Sequence, residues 1–390
     1  MKNDRKETSG QGSGRIKALA GTLAAALILS AASGCGGKAG ASQAKDAQTS
    51  AAAAGTAQSG KLTDVKFAVG NTGTGGILPV VAAEANFDEE EGLNIILEPV
   101  DNASNTLAAT ASGKADVGGW SSAAPLSYIA KGNDLTIYGG LMSDYESLVV
   151  TPKNKAAWGG KLSPDFLKGK KIAVNRTNSG DIALRAYFAS EGVDLKTIQY
   201  IELDSGTSVI EAVRKGSADA GIVNGGFYKA AEKQGLVHVQ FIKQIIGRDF
   251  ICCRQLARPS ALKDNRDLYV KIQKALIKAY HLYKTDQNKT VDLASHYLKL
   301  SKDDIRFLTY QYGDLVLSPD PDIQGVYNYY EGMKKCGYID ANTKVDILQH
   351  VDTSIYRDAL KQIVQENPKD QIYQELQSNF KETVVKNAAA

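Results

Sequence analysis

The chain has 390 residues, 43% hydrophobic and 23% charged, a globular composition long enough for two domains. The formal net charge is only +3, and lysine and arginine are scattered with no basic stripe, which argues against a nucleic-acid partner. There are four cysteines and no C-x-x-C, so neither a disulfide framework nor a zinc-ribbon pattern is present.

In chain order, Lys2, Arg5, Lys6, Arg15 and Lys17 precede an apolar run from Ala18 to Leu29 and the small residues Ser30 to Gly34. This is the pattern of an export signal, too short to span a bilayer as a mature helix. Residues 36–60 are rich in Ala, Gly, Ser and Gln and cannot bury a core. They read as a flexible linker reaching about 25–30 Å.

Val65 to Val69 alternates as a strand, followed by the polar loop Asn71 to Gly76 and a helix from Ile77 to Glu91 that Gly92 stops. Strands are expected at Asn94–Val100, Ala115–Gly119 and Leu135–Met142, with helices at Ser104–Ser112 and Ala123–Ala130. The alternation reads as an α/β unit with a mostly parallel sheet. It then restarts: strands at Lys171–Val174, Ile198–Leu203, Ala218–Val223 and Val237–Ile242, with helices at Asp181–Glu191, Val209–Lys215 and Phe227–Gln234. Phe250 to Ala257 is extended. From Asn265 the hydrophobic period becomes helical, with helices expected at Leu268–Ala279, Val291–Leu298, Lys302–Tyr312, Asp322–Cys336, Thr343–Leu348 and Ser354–Gln365. Residues 366–390 read as a polar tail.

One stretch occurs twice. Gly113-Lys114-Ala115-Asp116-Val117-Gly118 recurs as Gly216-Ser217-Ala218-Asp219-Ala220-Gly221, and the amphipathic segments after each copy end at Gly132 and Gly235. The offset is 103 at both ends (216 − 113 and 235 − 132). Two copies of one α/β unit make two similar lobes: 62–150 with 255–365, and 151–254, the helical C-terminal region covering the first.

Ligands of open α/β sheets bind beyond the carboxyl ends of the strands. Four polar loops lie there, each before a helix: Asn71–Gly76, Gly119–Ser122, Asn175–Gly180 and Asn224–Gly226. They serve either as local N-caps or as the lining of a cleft whose helix starts hold an anionic or electron-rich group. The candidate contacts are Asn71, Thr72, Gly73, Trp120, Ser121, Ser122, Tyr145, Asn175, Thr177, Ser179 and Asn224. Trp120 is either a stacking surface or packed beneath its loop; Tyr145 and Arg248 lie near the two interlobe crossings. No protease, hydrolase, P-loop or dinucleotide motif occurs, and His238, His281, His296 and His350 are isolated. No catalytic residue, metal or cofactor is expected. Cys252-Cys253 is either a reactive pair or small buried residues of a linking strand.

Ala32-Ser33-Gly34-Cys35 resembles a bacterial lipobox, which implies cleavage before Cys35 and its lipidation. The repeat with Ala124-Pro125, the Gly169-Lys170-Lys171-Ile172-Ala173-Val174 segment, and Ala218-Asp219-Ala220 with Phe227-Tyr228 and Ala230-Ala231-Glu232 resemble a family over roughly residues 62–365. It is the substrate-binding lipoproteins of ABC importers for nitrate, sulfonate, taurine and thiamine-precursor pyrimidines. The resemblance implies a type II periplasmic-binding-protein fold, two lobes about a central cleft. It further implies a monomer on the outer face of the cell membrane, presenting a small polar or anionic solute to a permease and its ATPase. Sulfonate-type members often carry Trp-Asp-Pro or Trp-Glu-Pro where this chain has Asn224-Gly225-Gly226, so a taurine-like ligand is not implied. Two alternatives remain: a sensory lipoprotein with the same fold, and a pyrimidine synthase, which resembles the chain around Cys252-Cys253 but carries a longer cysteine cluster and is cytoplasmic.

Overall fold

The computed structural model describes residues 61–385, apart from 72, 158–166, 176–177 and 313–314. The expected signal, linker, Cys35, Thr72 and Thr177 lie outside the described residues.

The first half of the chain runs β1 (Thr63–Val69), α1 (Ile77–Glu84), β2 (Leu93–Pro99), α2 (Ala103–Ala111), β3 (Val117–Ser121), α3 (Ala123–Ala130) and β4 (Thr136–Ser143). It crosses into β5 (Glu146–Val150), α4 (Pro152–Ala157), β6 (Lys171–Asn175), α5 (Ser179–Ser190), β7 (Gln199–Leu203), α6 (Gly206–Arg214), β8 (Ala220–Asn224), α7 (Tyr228–Lys233), β9 (Val237–Phe241) and α8 (Ile242–Ile246). It returns through β10 (Ile251–Ala257), then α9 (Pro259–Asp264), α10 (Arg266–Thr285), α11 (Gln287–Tyr297), α12 (Lys302–Arg306), β11 (Val316–Leu317), α13 (Ile323–Lys335), α14 (Ser354–Glu366) and α15 (Gln371–Asn379).

The strands form two sheets, β11-β4-β10-β3-β1-β2 and β7-β6-β8-β5-β9. Two lobes therefore stand about a central cleft in a type II periplasmic-binding-protein fold. Each sheet is less parallel than the alternation suggests. β10 enters the first sheet antiparallel between β3 and β4, and β5 enters the second antiparallel between β8 and β9. Both are crossing strands, and a strand arriving from the opposite lobe runs against its new neighbours; no local pattern encodes that.

The repeated motif is explained position by position. Gly113 and Gly216 take positive φ (74° and 76°) just beyond α2 and α6, where a side chain would be strained. Ala115 and Ala218 are buried. Asp116 accepts from the Lys66 backbone N–H at 2.9 Å and Asp219 from that of Lys171 at 2.8 Å. Gly118 and Gly221 let a helix rest on the strand: a Cβ there would lie 2.2 Å from Thr110 Oγ1 and 2.6 Å from a Val209 methyl, respectively. The motif builds the lobes, and ligand contact falls to the loops at the ends of its strands.

One core joins α1, α10, α11, α14 and α15 to the first sheet through residues such as Phe67, Leu78, Leu276 and Ile363. A second links Leu126 and Ile129 of α3 with Phe188 of α5 and Val326 and Met333 of α13, so α13 also packs on the second lobe. Three tail expectations are corrected. The expected polar tail contains α15, which buries Tyr373 and Leu376 at helical spacing. Thr343–Leu348 is not a helix; only a short 3-10 turn at Ile347–His350 forms, after Asp340 and Thr343 bond locally. The 302–312 helix is α only to Arg306 and continues as a π-turn over Phe307–Gln311.

Candidate ligand cleft between the two sheets

A cavity of about 160 Å³ lies between strand-end loops of both sheets. A cavity of about 150 Å³ holds a benzene ring. Of the residues expected there, Gly73, Trp120, Ser121, Tyr145, Asn175, Ser179 and Asn224 line it. Asn71 and Ser122 do not. Asn71 is buried, with its carbonyl accepting from the Lys299 N–H, and Ser122 Oγ donates to the Cys252 carbonyl at 3.0 Å. Arg248 lines a separate depression beside α5 and α13.

Three aromatic rings of the wall are each seated on a glycine. A Cβ on Gly70 would lie 1.9 Å from the Trp120 indole, one on Gly225 2.4 Å from the Tyr145 ring and one on Gly206 2.5 Å from the Phe227 ring. Trp120 thus lies on Gly70 and lines the cleft at once. Tyr145 sits on the crossing from β4 to β5, where Asp144 and Tyr145 take φ of 62° and 88°. Left-handed backbone at two successive non-glycine residues is strained and persists where surroundings fix it. Here Asp144 Oδ1 accepts from the Phe250 N–H at 2.9 Å, the Asp144 N–H donates to the Phe250 carbonyl at 3.0 Å, and the Tyr145 carbonyl accepts from the Gly225 N–H at 2.8 Å. The Tyr145 hydroxyl is buried beside Thr74, and burial pushes its pKa up against the opposing pull of that neighbour. Thr74, the polar neighbour of that hydroxyl, directs its own toward the Met142 sulfur at 4.0 Å.

The two lobes meet on the wall. Ser121 Oγ, at the end of β3, lies 2.9 Å from Ser179 Oγ, at the start of α5. The Cys252 carbonyl accepts from the Ser122 N–H at 2.7 Å and from Ser179 Oγ at 3.4 Å. Beside these, Glu146 is buried and accepts from the Gly180 N–H at 2.5 Å. Asn178 Oδ1 caps the same helix, accepting from Gly180 and Asp181 at 3.0 and 3.1 Å. Asp181, behind the cap, has its carboxyl pushed up to about 6 by burial, against the opposing pull of its ion pair with Arg185.

Glu146, Asp101, Asp204, Met142, Cys252 and Cys253 also line the cleft and were not expected to. The cysteines adjoin on β10, where alternation would send their side chains to opposite faces. Register shifts on both sides of Cys253 break that alternation and bring the sulfurs to 3.6 Å. The Cys252 thiol is pushed up by its bond to Cys253 and by burial. Among the described residues no group of three or more His, Cys, Asp and Glu side chains is placed to hold a metal ion.

The NMT1/THI5-like family profile matches residues 75–290, which span the whole cleft lining except its first few positions and both lobes' repeats. The chain belongs to the NMT1/THI5-like family. Solved structures similar to this family member include the putative periplasmic sulfonate-binding protein SsuA of Methylobacillus flagellatus, at 19% identity and TM-score 0.62, covering 84% of this chain and 99% of that one. The aliphatic sulphonate-binding SsuA of Escherichia coli is 17% identical with TM-score 0.60, covering 76% and 93%. The nitrate-binding NrtA of Synechocystis PCC 6803 is 13% identical with TM-score 0.62, covering 80% and 91%. At these identities they establish the fold. No curated protein matches the sequence.

Proposed function

We propose that this chain is the extracytoplasmic solute-binding component of an ABC importer. Its two lobes close on one small polar ligand and present it to a permease with its ATPase. The observation that carries this reading is a ring-sized cavity to which strand-end loops of both sheets contribute. A ligand there binds the closed arrangement better than the open one and shifts the equilibrium between them. The family membership and the printed roles of the sulfonate- and nitrate-binding structures support it. The proposed contacts are Gly73, Trp120, Ser121, Tyr145, Asn175, Ser179 and Asn224. Thr72 and Thr177, in the same loops of the sequence, are proposed with them, and Cys35 as the lipid anchor.

Binding without turnover is the better reading of the chemistry. The described lining contains no histidine, and His238, which bonds the Ser147 hydroxyl, stands outside it. The decisive experiment is uptake of labelled solute in a strain lacking the chain, beside titration of the purified protein. A ligand at about 100 times its Kd raises stability by about 2.7 kcal/mol. Unchanged uptake of every solute that binds the protein would leave a sensor and remove the transport role. Cys35→Ser should move the protein from the detergent phase to the aqueous phase; equal partitioning of both would remove the anchor.

A further inference from the structure

Arg248 belongs to a cavity outside the cleft. It stands on the second crossing, between α8 and β10, and lines a separate depression of about 50 Å³. A water position takes about 10–15 Å³ on this measure, so the depression has room for a carboxylate or phosphate group. Its walls come from three elements: α5, α13 and the crossing segment 246–250.

The Arg248 guanidinium is half-buried and has no ion pair or hydrogen bond among the described residues. Burial alone lowers its pKa, with no carboxylate opposing it. The acid next to it in the chain is already engaged: Lys243 Nζ lies 2.5 Å from Asp249 Oδ1 and 3.3 Å from Asp144 Oδ2. A charge drawn out of water is ordinarily paired, and a guanidinium presents a fork of N–H donors that matches an oxoanion. Asn328 of α13 adds to it. Its Oδ1 accepts from Gln324 Nε2 at 2.9 Å, which leaves its own amide N–H groups as donors on the wall.

The depression also spans both lobes. Arg254 of β10 fixes the start of α13 to the first sheet, donating from Nε to the Pro321 carbonyl at 2.9 Å and from Nη2 to Asp322 Oδ2 at 3.2 Å. α5 follows β6 of the second sheet. Between them Tyr329, on the cavity wall, donates its hydroxyl to the carbonyl of Ser179, the first residue of α5, at 2.9 Å.

We propose that this depression is a second ligand site, for a small oxoanion of carboxylate or phosphate type, whose occupancy joins α5 to α13 and steadies the lobes in their present arrangement. The site itself requires nothing of the cleft. Where the cleft takes a solute, the two ligands are linked, and each alters the other's affinity by the same factor.

The test titrates the full chain with sodium acetate and with sodium phosphate at millimolar concentration, against sodium chloride at matched ionic strength. At least one oxoanion should raise the melting midpoint above that in chloride. The same anion should slow modification of Arg248 by phenylglyoxal, read by mass spectrometry, and slow hydrogen exchange in α5 and α13 together. Arg248→Gln should weaken that anion about tenfold or more, and should leave the midpoint in chloride equal or higher because it removes a charge without a partner. A clear fall of that midpoint would mark the arginine as structural and overturn the proposal. Asn175→Ala, in the cleft, separates the two sites. An anion effect lost in Asn175→Ala and kept in Arg248→Gln places the anion in the cleft and overturns the proposal, as does no effect of either oxoanion beyond that of chloride.

Discussion

Gly70→Ala tests whether Trp120 sets the shape of the cleft. The added Cβ would lie 1.9, 2.5 and 3.0 Å from three carbons of the indole, the three atoms nearest to it. Carbon atoms pack at about 3.5–4.0 Å, so the ring must retreat by roughly 1.5–2 Å. Gly70 is outside the left-handed region, so alanine fits the backbone and the effect falls on the ring. Overpacking of this kind costs about 1–3 kcal/mol of stability. The displaced indole also intrudes on a cavity of only about 160 Å³. Trp120 and Trp158 are the two tryptophans, so a Trp158→Phe background isolates the reporter. In that background Gly70→Ala should shift the Trp120 emission and weaken the best ligand about tenfold or more. Unchanged emission with unchanged affinity would refute the seating of Trp120 on Gly70 and its place in the site.

Burial holds His238 down to about 4 from its ordinary 6.5. Between those values the unfolded chain binds the proton and the native protein does not, so stability falls with acidification, by at most about 3 kcal/mol near pH 4. His238→Gln should flatten that part of the profile in denaturant titrations; Asp181, raised to about 6, acts in the opposite sense and is read from Asp181→Asn separately. Asp116→Ala and Asp219→Ala should each cost about 1–2 kcal/mol in chemical denaturation, because both carboxylates make the same backbone bond; a large inequality would break the equivalence of the two copies. Cys252 should react with a disulfide reagent more slowly than half-buried Cys336, followed by mass spectrometry of the tryptic peptide Asp249–Arg254. Equal rates would contradict the burial of the pair.

The cleft was legible where the signal was local and repeated. Polar residues directly after apolar strands marked Ser121, Asn175 and Asn224, and the duplicated glycines fixed where those strands end. Asp101 and Asp204 obey the same offset but stand outside the glycine motif, at positions where an exposed acid is ordinary. Glu146 was hidden because its strand read as a way out of the first lobe, and its importance comes from Gly180, a contact across 34 positions. The sulfurs at Cys252 and Cys253 depend on a bulge created by β10 pairing with β4, a tertiary event. α15 was missed for a different reason: Tyr373 and Leu376 give a two-residue apolar face in a polar stretch, too little to distinguish from a tail until a core is there to receive it.

The carbonyl oxygen of Cys252 gathers donors from both lobes, the N–H and Oγ of Ser122 and the Oγ of Ser179. That oxygen belongs to the main chain and is present whatever side chain residue 252 carries. Alanine scanning of β10 would therefore report the loss of a sulfur and leave this junction untouched. Its own contribution becomes measurable only by changing the donors, one lobe at a time, or by replacing the amide with an ester.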